Sequence, residues 1–111
     1  MAHTLDTATA RFVRQLPETE AAIDTAIARV SNLIADAVQS RLDIGVSSGT
    51  GQQALLRMHK SLGELIDASS EMARAHRVML QTAVEVGTLD HPDCPDVVKP
   101  SGLLMQVDAA A

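Results

Sequence analysis

Hydrophobic residues recur along most of the chain at steps of three and four positions, which is the spacing of one face of an α-helix. The first regular run follows Pro17, a residue suited to the first turn of a helix because its missing N–H is tolerated there. The apolar positions of this run are Ile23, Ile27, Val30, Leu33, Ile34, Val38 and Leu42. We therefore predict a helix over about Pro17–Asp43.

The second run is longer and more regular. Its positions follow one another at alternating steps of three and four, and we call them the seam: Leu55, Met58, Leu62, Leu65, Ser69, Met72, His76, Met79, Ala83 and Val86. Only Ser69 and His76 are polar. Apolar residues also flank the seam on both sides, which favours a helical bundle over a two-stranded coiled coil. This pattern predicts a helix over Gln52–Val86, ended by Gly87.

The remaining segments are shorter. Residues 1–16 have similar apolar spacing and are predicted to form a short amphipathic helix, with a kink or break at Pro17. Residues 17–87 form the predicted helical hairpin, and residues 88–111 contain three prolines and are predicted to be an extended tail. An apolar patch at 103–107 could dock on the hairpin or bind a partner.

Glycine and hydroxyl residues are concentrated in "DIGVSSGTGQQ", between the two runs. A phosphate-binding P-loop needs an entering strand and a lysine after its last glycine, and neither is present. Gly45 instead suits the end of the first helix, and Ser48 or Thr50 suits the N-cap of the second. The stretch is therefore interpreted as the bend of an antiparallel hairpin.

Antiparallel pairing has consequences for the ends and for the assembly. It should bring Phe12 close to Leu80 and Val84, and replacing Phe12 by alanine should cost about 3 kcal/mol if the ring is buried. A hairpin of this length leaves one side of each broad apolar stripe in water, so we predict a dimer that forms a four-helix bundle. Ser69 and His76 would then approach the partner, and protonation of His76 below about pH 6 would weaken association if no carboxylate faces it.

Composition narrows the class of protein. The chain has 111 residues, 46% of them hydrophobic, and Phe12 is the only aromatic residue, which favours an all-α protein. A net charge of −5 argues against nucleic-acid binding, and no apolar stretch approaches the length of a membrane span. A single cysteine, Cys94, rules out an internal disulfide and fits a reducing compartment. We expect a cytoplasmic protein.

The candidate metal ligands do not form a complete site. His59 and His76 lie on well-separated faces of the predicted helix and cannot share a metal within one chain. The tail segment "HPDCPD" contains His91, Asp93, Cys94 and Asp96. A structural zinc ion needs four ligands, usually in two Cys or His pairs, and the tail offers one Cys–His pair. Neither a metal nor another cofactor is predicted.

A more specific pattern is "MHKSLGEL", which places His59 one helical turn before Gly63. This stretch resembles histidine phosphotransfer domains, which are four-helix bundles. The resemblance implies that His59 would carry a phosphoryl group and that Gly63 would leave room for a docking partner. In that family a basic residue usually stands three positions after the histidine. This chain has Leu62 at that position, although Lys60 follows His59 directly.

The sequence favours a small helical interaction or scaffold protein that is not an enzyme, self-associates and binds a protein partner that the sequence does not identify. The alternative is a phosphorelay carrier that uses His59 and Gly63. A third possibility is a ligand or metal binder inside the bundle.

Overall fold

A computed structural model describes residues 2–90 of the chain, with side chains from Thr4 onward. It contains two helices, α1 over Ala2–Ile44 and α2 over Gln52–Glu85, and no strand lies within these residues. The helices run antiparallel and pack along their length. The predicted all-α hairpin is confirmed, and α2 ends one residue before the predicted boundary.

The predicted start of the first helix at Pro17 is wrong. Pro17 lies inside α1, which continues without interruption through the segment that we had separated as a short N-terminal helix. A proline inside a helix removes one backbone hydrogen bond and costs about 3 kcal/mol. The turns on both sides of Pro17 pack against α2 through Leu16 and Glu20, and such tertiary packing supplies most of the stability of helices in proteins.

The facing surfaces follow the alternating three-and-four spacing in both helices. In α1 the half-buried positions of this series are Thr9, Val13, Leu16, Glu20, Ile23, Ile27, Val30, Ile34, Ala37 and Arg41. In α2 every seam residue from Leu55 to Met79 is half-buried, and Ala83 is buried. Val86 differs because it lies just beyond the end of α2 and is 51% exposed.

Contacts between the helices fix their register. At the free end, the hydroxyl oxygens of Thr9 and Thr88 are 2.8 Å apart. Further along, Glu20 of α1 meets His76 of α2. Phe12 lines a cleft together with Leu80, as predicted, although Ala83 and Val86 replace the expected Val84 in its lining.

The hairpin has almost no buried interior. Only Leu80 and Ala83 count as buried among the described residues. Leu33, Val38 and Leu42, which belong to the predicted stripe of the first helix, are exposed. The reason is geometric: two helices cover only the central rows of each other's apolar stripe, and residues on the flanks remain in solvent.

Glycines end both helices in the manner predicted. Gly45 has φ +79° and its N–H donates to the carbonyl of Arg41 at 3.0 Å, which closes α1. Gly87 has φ +84°, and the N–H groups of Gly87 and Thr88 donate to carbonyls in the last turn of α2, which is the Schellman arrangement.

Candidate functional site

A polar pair lies inside the otherwise apolar contact between the helices. His76 Nδ1 and Glu20 Oε1 are 2.5 Å apart, and both side chains are partly buried. The other ring nitrogen of His76, Nε2, is buried and has no hydrogen-bond partner among the described residues. A polar pair that can be satisfied in one alignment only is suited to fixing the register of two helices.

This contact bears on the prediction about His76. A polar residue in the seam needs a hydrogen-bond partner, and His76 finds it in Glu20 on the facing helix. The expected loss of association at low pH applied to a histidine that faces no carboxylate. Since Glu20 supplies that carboxylate, the condition is not met and we no longer expect the loss.

Sequence reasoning missed the roles of Glu20 and Arg41. The predicted helix start at Pro17 would place Glu20 in the first turn, where anions are favoured, and this position is incorrect because α1 begins far upstream. Both residues occur at seven-residue multiples from Val13, the spacing of the half-buried row. A charged residue in a half-buried row needs a polar partner. The positions of Glu20 and Arg41 in that row were the signal in the sequence that could have indicated their contacts.

Arg41 holds the bend between the helices. Its Nη1 donates to the carbonyl oxygens of Ser48 and Thr50 and to Gln52 Oε1, the last two at 3.3 and 3.1 Å. The guanidinium group therefore connects the last turn of α1 to the loop and to the first residue of α2. This is a structural role, in agreement with the interpretation of the glycine-rich stretch as a bend.

The predicted N-cap of α2 is wrong. Gly51 takes that position with φ 74°, and no side chain caps the helix. Ser47 and Thr50 instead place their hydroxyl groups 3.2 Å apart within the loop. The loop backbone satisfies one of the first N–H groups of α2, because the N–H of Gln52 donates to the carbonyl oxygen of Gly49 at 3.2 Å.

His59 and Gly63 lie on an exposed part of α2. A Cβ atom added to Gly63 would meet nothing within 4 Å, so the space beside His59 is open on this chain. Leu56 and Ile66 are about half exposed and fall on the same stripe at steps of three and four. The imidazole of His59 is thus accessible and lies among exposed aliphatic side chains.

The described residues contain no group of three or more His, Cys, Asp and Glu side chains placed to hold a metal ion. The half-site formed by His91, Asp93, Cys94 and Asp96 lies outside the described residues, as does the apolar patch at 103–107. Within residues 2–90, neither helix has the length and apolar character needed to cross a membrane.

Within residues 2–90, clefts open between the helices at both ends of the hairpin. The cleft at the free end is apolar and is lined mainly by Leu5, Phe12, Leu16, Met79, Leu80 and Val86. The cleft near the bend is lined by residues that include Ser40, Ile44, Ala54 and Met58. Each cleft marks a place where the packing of two helices leaves apolar surface uncovered.

Comparisons of the chain with protein-family models, with curated proteins and with solved structures find no match.

Proposed function

We propose that this protein is a non-catalytic helical interaction module that self-associates into a four-helix bundle and presents a surface to a protein partner. One observation carries the proposal: two long helices bury only Leu80 and Ala83 among the described residues, while large apolar side chains along both helices stay exposed. Contiguous exposed apolar surface of this kind marks interaction sites in soluble proteins.

Within residues 2–90 the hairpin is a single layer of two helices. Burial of apolar surface stabilises a fold by about 25 cal/mol per Å², and a single layer of two helices covers only one row of each stripe. Exposed side chains such as Leu33, Leu42 and Leu56 contribute little to the free energy of folding while they face water. Packing two hairpins together would bury such residues without any change of sequence.

Sedimentation velocity of the purified full chain, over a range from about 1 to 100 µM, tests the proposal. We expect a dimer that dissociates on dilution or persists across the range. A monomer at every concentration would refute self-association.

A second candidate is supported by the exposure of His59 and by the open space at Gly63. A histidine that carries a phosphoryl group must be accessible to a donor, and a glycine one turn away lets the donor approach closely. Leu56 and Ile66 would supply apolar contacts for a docking protein.

Incubation with acetyl phosphate or a phosphorylated receiver domain tests this second candidate. The phosphorelay function predicts an acid-labile phosphate that is lost in His59→Gln and retained in His76→Gln. Absence of acid-labile phosphate under conditions that label a known phosphotransfer protein would exclude this candidate and leave the interaction module in place.

A further inference from the structure

The free-end cleft lies beside the point where the described chain leaves α2. After α2 the chain turns back over the last helical turn, and the N–H groups of Thr88 and Leu89 donate to the carbonyl oxygen of Ala83 at 2.9 and 3.4 Å. The hydroxyl oxygen of Thr88 is also 2.8 Å from that of Thr9 in α1. Because Ala83 and Thr9 both line the cleft, the chain reaches Asp90 close to its rim.

The lining of this cleft offers no free polar group to a ligand. Its polar residues are Thr9 and Thr82, and their hydroxyl groups donate to the carbonyl oxygens of Leu5 at 3.0 Å and Val78 at 2.9 Å. The rest of the lining is aliphatic or aromatic, and Leu5 and Phe12 keep 42% and 44% of their surface exposed. The cleft therefore suits an apolar occupant.

The size of the cleft fits side chains and not a whole helix. Its volume is about 150 Å³. An apolar cavity of that volume takes in one benzene molecule, so one or two aliphatic side chains would fill the cleft. A short apolar segment can insert such side chains more closely than the broad face of another hairpin can.

The chain carries a segment of this kind beyond the described residues. Residues 103–107 of "KPSGLLMQVD" are apolar at every position except Gln106 and carry no charge. Another apolar pair after Asp90, Val97 and Val98, is flanked by a charged residue on each side. Segment 103–107 is therefore the part of the tail best suited to an apolar cleft.

The length of the connecting chain favours the free-end cleft over the cleft near the bend. Residues 91–102 link Asp90 to this segment and can span at most about 40 Å. The free-end cleft lies beside the start of that link. The other cleft is lined by Ala54 and Met58, roughly 40–45 Å away along α2. The segment could reach it only with the link fully extended.

We infer that segment 103–107 occupies the free-end cleft of its own chain. This contact goes beyond the proposed self-association and does not depend on it. A tethered segment has an effective concentration on the order of 1 mM, so a contact with a dissociation constant of about 0.1 mM is formed in about nine chains of ten. A separate chain at micromolar concentration competes poorly for the same cleft.

Nuclear magnetic resonance of the full chain tests the inference through the ring of Phe12. The chain has no other phenylalanine, tyrosine or tryptophan, so only histidine rings share its spectral region. We expect nuclear Overhauser effects between this ring and the methyl groups of at least one of Leu103, Leu104 and Met105. Isotope-filtered spectra of mixed labelled and unlabelled chains should assign these effects to contacts within one chain.

Charge in the segment should empty the cleft. The double variant Leu103→Asp, Leu104→Asp should abolish these effects, move the signals of the Phe12 ring and the Met79 methyl group, and lower the urea midpoint of unfolding. The Met58 methyl group lies in the cleft near the bend and should keep its position in the spectrum. Circular dichroism should show that the helices are retained, because the substitutions lie outside them.

The double variant Val97→Asp, Val98→Asp is the matched control. It adds the same charge to the tail outside segment 103–107, so the Phe12 contacts and the urea midpoint should remain those of the wild type. Equal effects of the two double variants would show that tail charge acts without a specific contact, and the inference would be wrong.

The remaining outcomes identify other occupants. Effects that join Phe12 of one chain to any methyl group of another would place a second copy in the cleft and overturn the inference. Ring contacts confined to the hairpin of the same chain, with unmoved signals in Leu103→Asp, Leu104→Asp, would show that the cleft is unfilled and also overturn it. A monomer in sedimentation would refute the proposed self-association and leave the contact within one chain intact.

Discussion

His76 of α2 and Glu20 of α1 meet across the hairpin, with Nδ1 and Oε1 2.5 Å apart in surroundings that are otherwise apolar. The residues are far apart in sequence, and the contact exists in one alignment of the helices only. Sliding α1 by one turn relative to α2 would leave both groups partly buried without this partner, which costs free energy. The pair therefore selects one register, whereas the aliphatic residues around it tolerate several.

We expect Glu20→Ala to lower the free energy of unfolding by about 1–2 kcal/mol, because the imidazole then has no partner on either nitrogen within the described hairpin. The double variant Glu20→Leu, His76→Leu should recover most of that loss, since replacing both partners by apolar groups removes the unsatisfied atoms. Urea unfolding at equal protein concentration measures both. A single variant as stable as the wild type would show that the pair contributes nothing to stability.

Arg41 provides a second test, at the bend. Arg41→Ala removes the donor to Ser48, Thr50 and Gln52, and we expect a loss of about 1 kcal/mol because these bonds are exposed to solvent. Faster amide hydrogen exchange at residues 46–51 should accompany the loss. Arg29→Ala, an exposed arginine in the middle of α1, is the control and should leave exchange in the loop unchanged. Equal exchange in both variants would contradict the role of Arg41.

The helices could be predicted because their signal is local and repeated. Uninterrupted three-and-four spacing over many turns defines a helix whatever lies opposite, and Gly45 and Gly87 end the helices for reasons that depend on their own backbone. Pro17 shows the limit of a local rule. Its usual position at a helix start is only a preference, and here packing against α2 extends the helix through it.

The polar contacts could not be predicted because they depend on register. Glu20 and Arg41 had to be matched with residues of another helix, and a shift of one turn would give each a different neighbour. The exposure of Leu33 likewise depends on how much of its stripe α2 covers. The sequence indicates that the stripe is apolar and does not indicate whether one helix or three will cover it.

Two glycines in different conformations provide a matched pair for stability. Gly87 has φ +84°, so Gly87→Ala forces an L-residue into the left-handed region and should cost about 1–2 kcal/mol. Gly63 lies inside α2 with open space around it, so Gly63→Ala should stabilise the protein by about 0.5–1 kcal/mol. Thermal unfolding of the two variants should therefore shift in opposite directions. A loss of stability in Gly63→Ala would mean that a second copy of the chain approaches this glycine in the assembled protein.

Phe12 connects the free end of the hairpin with self-association. A loss of about 3 kcal/mol on Phe12→Ala is typical of a buried ring, and Phe12 is 44% exposed in one chain. Within the hairpin we therefore expect a smaller loss of about 1–2 kcal/mol, from its contacts in the cleft that Leu80 also lines. If self-association covers this cleft, the same substitution should also raise the dimer dissociation constant, because the exposed part of the ring is then buried between the chains. Val78→Ala is the control, because Val78 is 58% exposed on the outer face of α2. Sedimentation equilibrium and urea unfolding of both variants separate the two effects, and a Phe12→Ala dimer as stable to dilution as the Val78→Ala dimer would place Phe12 outside the interface.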